Sequence, residues 1–416
     1  MRWAIVALAA IVAIIAVDGC GSSSGQTLAA NRIRGRTLTI YASAPLRGPS
    51  TVSGEAVING AQLALDQVHG RIGEFRIALK VLDDATVARG GWDPGQTTIN
   101  VRVAVLDPTT IGYVGDFNSG ASAISIPPLN RAGIPQVSPT STAVGLTSAA
   151  LGAQPGEPQK YYPTGIRTFA RVVPNDRIQA IAQVRVQQEM GCASTFVLND
   201  GEVDGSDAAR SFEVAAEAAH LHLAGVAMFV PQAKSYKAFA SGIAHAAPDC
   251  VMIAADTESG AAQLTADLAA AMPTVKIFGT AGLAESTFAD PSQGGIPLSV
   301  DPRVVITSPA LALNEYPPSA RAFTTAYTRR FGPPQPDAIF GYEAMSLMLD
   351  AVQRATDDGT APAVRSEVRR AIFATHDRHS VIGKYSINRN GDTTLQRYGI
   401  WGIAQGHLTF WEAITV

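Results

Sequence analysis

Charge is scarce in this chain. Lysine, arginine, aspartate and glutamate make up 16% of the 416 residues, and the formal net charge is −3. A protein that grips nucleic acid needs a basic stripe or patch. None is present, nor is finger spacing or a helix-turn-helix signature, so no nucleic-acid partner is expected. Long apolar runs are missing after residue 17, so no later segment has the ~20 residues that span a bilayer. The histidine pairs His220-Leu221-His222 and His376-Asp377-Arg378-His379 lack partners at metal-ligand spacing, and no metal is expected. Asn118-Ser119-Gly120 lacks the preceding glycine of a nucleophile elbow, and no base can be paired with Ser119. Gly279-Thr280-Ala281-Gly282 lacks the third glycine of a dinucleotide fingerprint. Neither an enzyme nor a cofactor is expected.

What is present begins with an address. Met1-Arg2 is a short basic start, and residues 3–17 form an apolar run of signal-peptide length. Val17-Asp18-Gly19-Cys20 follows. Val17 and Gly19 fit the pattern of a bacterial lipoprotein cleavage site, and Asp18 departs from it. The expectation is a signal peptide over 1–19, lipid on Cys20 and a flexible tether over 20–36. An uncleaved anchor with an incidental cysteine is the alternative. Either way the bulk of the chain lies outside the cytoplasmic membrane.

The remainder exceeds what one core serves, so two lobes are expected. Strand and helix signals alternate, the pattern of a parallel sheet covered on both faces. Strands are expected at 37–42, 75–82, 110–114 and 134–137, then at 195–198, 225–229, 250–254, 276–279 and 304–312. Helices are expected at 55–68, 97–106, 176–190, 205–219, 235–246, 259–271, 319–331, 337–355 and 361–374. The tail, 383–411, alternates apolar and polar residues around Asn390-Gly391 and predicts an antiparallel hairpin.

Cysteine is nearly absent too. Besides Cys20 there are Cys192 and Cys250, each just before an apolar strand-like run. Those runs would be the first and third strands of their lobe, and in a doubly wound sheet these are neighbours. In an oxidising compartment a disulfide is predicted between them, with two buried thiols as the alternative.

The most informative segment is 112–147. A buried strand ends in Asn118-Ser119-Gly120, which opens a helix; a second strand ends in Thr140-Ser141-Thr142. Two parallel strands would present hydroxyls and free backbone amides at their carboxyl ends, where open α/β sheets bind ligands. A helix start there favours an anionic group such as a carboxylate.

This segment closely resembles the branched-chain-amino-acid-binding family of type I periplasmic binding proteins, the solute receptors of ABC importers. Ala44-Pro45-Leu46-Arg47-Gly48-Pro49, Asp83-Asp84 and the run from Phe169 to Asp176 carry the likeness further. So do Gly341-Tyr342-Glu343-Ala344, Gly383-Lys384-Tyr385-Ser386 and Asn390-Gly391-Asp392. The resemblance implies two doubly wound parallel-sheet α/β lobes joined by a multi-strand hinge. It places the first lobe at 37–162 and 307–376, and the second at 163–306 and 377–416. It also implies a small polar solute enclosed by hinge closure, an ABC permease and ATPase as partners, and a monomer. By motif match the solute carboxylate falls to Ser119, Thr140 and Thr142, with Asn118 beside them. Family members grip the ammonium with an acid just after the strand matching 276–279, and the turn here has none. Positions that carry aromatic walls in the family match Ser53, Val203 or Asp204, and Asp256 or Thr257, so hydroxyls and carboxylates are expected to replace aromatic surface. Two solute classes stay open: an amino acid or related zwitterion held by Asp204 or Asp256, or another polar solute such as an amide, amine, polyol or hydroxylated carboxylate, the second slightly favoured. A sensory lipoprotein without transport is the alternative role.

Overall fold

The computed structural model describes residues 31–150 and 152–416. The expected signal peptide and Cys20 lie outside the described residues. The last residues of the expected tether are docked instead of free. Arg32 forms an antiparallel bridge with Val364, and Ile33 is buried in the core. Among the described residues no helix is long and apolar enough to cross a membrane.

Two sheets organise the chain. The first orders its strands as Arg71–Ile72, Phe75–Asp83, Thr37–Ala44, Thr110–Val114, Gln136–Ser138 and Phe169–Arg171. All pair in parallel except the short Arg71–Ile72. The second runs His222–Met228, Ser194–Asn199, Cys250–Ala254, Lys276–Gly279 and Val304–Ser308 in parallel, then the antiparallel Arg397–Ala404 and His407–Thr415. Thr110–Val114 and Cys250–Ala254 are buried at every residue. That is why they read as unbroken apolar runs and not as alternating ones. In each sheet the strand order reverses beside the first strand. The crevice at that switch point is where the sheet's carboxyl ends open. The two crevices face each other.

Sheet membership puts the three crossings away from the boundaries drawn at 162/163, 306/307 and 376/377. Phe169–Arg171 closes the first sheet, and Val304–Ser308 belongs wholly to the second. Val381, Ile382, Tyr385 and Ile387 pack into the core of the first lobe, so the third crossing falls between Ile387 and Arg397. The hairpin tip also moves. Asn390-Gly391 makes only a small turn closed by Asn388 N–H donating to Asp392 O at 2.8 Å. The long hairpin reverses at Gln405-Gly406, both with positive φ (52° and 77°). Such turns prefer Asn-Gly, and glutamine seldom adopts that backbone, which hid the true tip.

Helix Ala338–Ala355, reached by the second crossing, returns to the first lobe and lies on helix Thr51–Gln67. Glycine sets their approach: a Cβ added at Gly60 or Gly341 would collide with the opposite backbone.

Cys192 and Cys250 are joined by a disulfide with Cα atoms 5.8 Å apart. It ties the start of one central strand to its neighbour. With the cysteines 58 positions apart in sequence, closing that loop in the unfolded chain is worth about 4 kcal/mol. Reduction of the folded protein should therefore lower the denaturant midpoint by a corresponding amount. Cys192→Ala with Cys250→Ala should match the reduced wild type and be insensitive to reductant. Free alkylation of both thiols without reductant would refute the bridge.

Candidate ligand-binding site

The strand ends of the first lobe are built on a buried polar scaffold. Asp116 is fully buried and accepts from Tyr113 Oη at 3.0 Å and from Ser125 Oγ. Its backbone carbonyl accepts from Ser138 Oγ and Ser141 Oγ at 2.9 and 3.1 Å. Burial pushes its carboxyl up to about 6. This network fixes both turns against one another. A second clamp holds the loop after Ser141. Arg171, fully buried, donates Nε to Asp392 at 2.8 Å and Nη1 to the carbonyls of Ser141 and Ala143 at 3.1 and 2.8 Å. Its Nη2 donates to Thr147 Oγ1 at 2.6 Å.

On that scaffold sits the helix Ser119–Arg131. Its N-cap is Asn118, whose side chain makes no capping bond. The first amides of a helix have no intrahelical acceptor, so this end presents donors. Ser119 Oγ accepts from the amides of Thr142 and Ala143 at 3.1 and 3.2 Å. Its own hydrogen is thereby directed outward, across the seam between the lobes.

The second lobe answers with carboxylates. Asp204 lies in the first turn of helix Val203–Ala218. Its Oδ1 accepts from Ser119 Oγ at 2.6 Å and from Thr142 Oγ1 at 3.1 Å. Asp256, just after Cys250–Ala254, accepts from Asn118 Nδ2 at 3.1 Å. Asn118 Oδ1 is buried without a partner. Asn118, Ser119, Thr140, Thr142, Asp204 and Asp256 line one cavity of about 40 Å³, together with Phe117 and Asp337. That is close to the ~30 Å³ share of a single water, so a solute enters only when the lobes part. Thr140 turns its hydroxyl to Phe117 O at 2.7 Å and fixes the turn. Ser53 is buried in the first turn of helix Thr51–Gln67 and does not line this cavity.

Sequence reasoning missed part of this seam. Ser50 Oγ reaches Glu258 Oε2 at 2.6 Å and Glu285 Oε2 at 3.2 Å across the lobes. Glu285 follows the turn at 279–282 a few residues later, but it meets Ser50 and does not line the cavity. Trp92 donates its backbone N–H to Glu258 Oε1 at 3.2 Å and packs against Gly120 at the helix start. Phe117 and Trp92 also correct the expectation that hydroxyls and carboxylates replace aromatic surface: one ring lines the cavity and another backs it. No local signal marked these residues, because their partners lie in the other lobe.

Burial raises all four seam acids. Asp204 and Asp256 are raised by desolvation, Asp204 against the opposing pull of the Ser119 and Thr142 hydroxyls. Glu258 is raised as well. Glu285 is pushed up to about 8 by burial and by the charge of Glu258.

The whole arrangement falls within a recognised pattern. A periplasmic binding protein family model matches residues 37–405. The chain belongs to the periplasmic binding protein family. This periplasmic binding protein is 24% identical over 372 residues to the Leu/Ile/Val-binding protein BraC3 of Rhizobium johnstonii, covering 88% of this chain and 91% of the relative. Its fold superposes on the leucine-binding protein LivK of Thermotoga maritima with a TM-score of 0.77 at 19% identity, covering 91% of this chain and 99% of the other. The substrate-binding protein LivJ of Streptococcus pneumoniae, in complex with isoleucine, gives 0.73 at 19% identity over 91% and 99%. A solute-binding protein of R. palustris in complex with benzoate gives 0.72 at 18% identity over 91% and 98%. This periplasmic binding protein is accordingly an extracytoplasmic solute-binding protein.

Two measurements test the site's construction. Removing one partner of a buried ion pair strands the other, so Arg171→Met should destabilise the fold by about 3–5 kcal/mol in denaturant unfolding. A carboxyl raised in the fold binds its proton more tightly folded than unfolded. The contribution of Glu285 is therefore complete below its ordinary 4.5 and is lost as pH rises through about 8. The protein should be more stable at the acid end of that window, and Glu285→Gln should flatten the slope. A wild-type stability that rises across this window would contradict the burial of Glu285.

Proposed function

We propose that this receptor closes on an α-amino acid or closely related zwitterion and delivers it to an ABC permease driven by its ATPase, acting as a monomer tethered by lipid on Cys20. The observation that carries this reading is the division of labour across the seam. The first lobe offers donors: the Ser119 and Thr142 hydroxyls and the start of helix Ser119–Arg131. The second offers acceptors, Asp204 and Asp256. A donor side suits a carboxylate, and an acid side suits an ammonium. Of the two solute classes open from the sequence, the zwitterion is the one that satisfies both sides at once. The relatives agree in part, since one is a Leu/Ile/Val-binding protein and another holds isoleucine. Closure follows as a population shift, because only the closed form lets both lobes touch the solute. A signal peptide over 1–19 accounts for export, and the acylated Cys20 for retention at the membrane. The sensory role draws on no particular feature of the seam.

A thermal-shift screen of the mature chain against amino acids, amides, amines, polyols and small carboxylates tests the reading. A solute at a hundred times its dissociation constant adds ~2.7 kcal/mol, a shift of several degrees at this size. At least one amino acid should register, and Thr142→Val should weaken it about 10- to 100-fold by calorimetry, the value of a hydrogen bond to a charged group. Shifts confined to amides, polyols or amines would refute the zwitterion.

A further inference from the structure

Resting on that reading, we propose that Asp204 is a built-in carboxylate that holds the anion seat of the first lobe and selects the solute. It yields the seat only to a molecule that brings a carboxylate and a cation together.

The geometry of Ser119 makes the seat exclusive. Its oxygen already accepts two backbone amides, and its hydroxyl has one hydrogen to give. That hydrogen goes to Asp204 Oδ1 at 2.6 Å, the short distance of a charge-assisted bond. Thr142 adds a second donor to the same oxygen. An incoming carboxylate that takes these donors must take them from Asp204. The two anions compete for one pair of hydrogens.

The surroundings decide what the displaced Asp204 does next. Arg171 is the cation whose charge reaches it, and four of its five N–H donors are engaged by Asp392, Thr147 and two carbonyls. The other charged groups that bear on the site are acids, among them Asp256 and Asp337 in the same cavity, Asp176 beside Asp204, and Asp200, whose Oδ2 accepts from the Asp256 amide at 3.1 Å. Without a new cation, a bound carboxylate and Asp204 would face one another in a poorly solvated crevice, and the like charges repel. An ammonium on the solute resolves this. It carries three donors. Acceptors border the cavity: the carboxylates of Asp204, Asp256 and Asp337, and Asn118 Oδ1, which belongs to a residue 5% exposed and has no partner. The unpartnered oxygen is an independent sign that the site awaits a donor. Asp204 thus changes partner, from the hydroxyls of the first lobe to the solute's ammonium. Simple carboxylates, which bring no cation, are turned away. In the absence of solute the same contact draws the lobes together.

Two measurements on the mature chain test this. The first needs no solute. Small-angle scattering in buffer should give a smaller radius of gyration for wild type than for Asp204→Ala. Ser119→Ala should expand the protein in the same way, and the double variant should add nothing further, since both act through one contact. Equal radii for wild type and Asp204→Ala would overturn the proposal. The second is a calorimetric panel of amino acids, each paired with its 2-hydroxy acid. Wild type should bind at least one amino acid and reject its hydroxy acid. Asp204→Asn, which keeps an acceptor but removes the charge, should narrow that preference by about tenfold or more, the effect of one like-charge contact. An unchanged preference in Asp204→Asn would overturn the proposal while leaving the amino-acid reading intact. Wild type that binds hydroxy acids as well as amino acids would overturn both.

Discussion

A buried carboxylate must find donors or a counter-charge, because transferring it from water without them is prohibitive. Much of what holds the two lobes together follows from that constraint. The second lobe ends two central strands near Asp200 and Asp256, sets Asp204 in the first turn of the helix that follows Asp200, and adds Glu258 and Glu285. The first lobe ends its strands in Asn118, Ser119 and Thr142 and adds Ser50. Neither surface is satisfied alone once water is excluded. Together they pair donor with acceptor, Ser119 with Asp204, Asn118 with Asp256 and Ser50 with the two glutamates. The seam is therefore both the means of closure and the place where a solute must intervene.

Such pairing needs rigid backing, which comes from distant segments. Asp116 ties the two turns of the first lobe through serine hydroxyls, and Arg171 ties the following loop to Asp392 near the other end of the chain. Arg171 sits on the last strand of the first sheet, and Asp392 on the third crossing. The clamp thus joins the hinge to the floor of the site. Asp392 on the third crossing and the carbonyls of Ser141 and Ala143 share the same guanidinium.

The doubly wound order makes this possible. In both sheets the first strand has neighbours whose helices leave on opposite faces, and the crevice between them cannot be covered by either lobe's own elements. Each lobe leaves its crevice open for the other to fill. The glycine contacts of Gly60 and Gly341 bring the helix from the second crossing tightly back onto the first lobe, so the crossings act as a hinge between two well-packed bodies.

Much of this was legible in the sequence. The strands Thr110–Val114, Cys250–Ala254 and Lys276–Gly279 were readable to the residue, because a strand buried on both faces is an unbroken apolar run between polar turns. The hydroxyls at 119, 140 and 142 and the acids at 204 and 256 stood out as polar residues at strand ends, and they line one cavity. The hairpin tip at Gln405-Gly406 was obscured because Asn390-Gly391 is the stronger turn signal, and only the register of the last two strands decides between them. Ser50, Trp92 and Glu285 were invisible for a different reason. Ser50 meets Glu258 and Glu285 across 208 and 235 residues of chain, and no local pattern records such a meeting. By itself the sequence determined the alternation of strand and helix, the two-lobed class and the polar strand ends, since periodicity and turn chemistry are local properties. Only the tertiary structure decided which acid faces which hydroxyl, because that depends on how three crossings bring two sheets' carboxyl ends into contact.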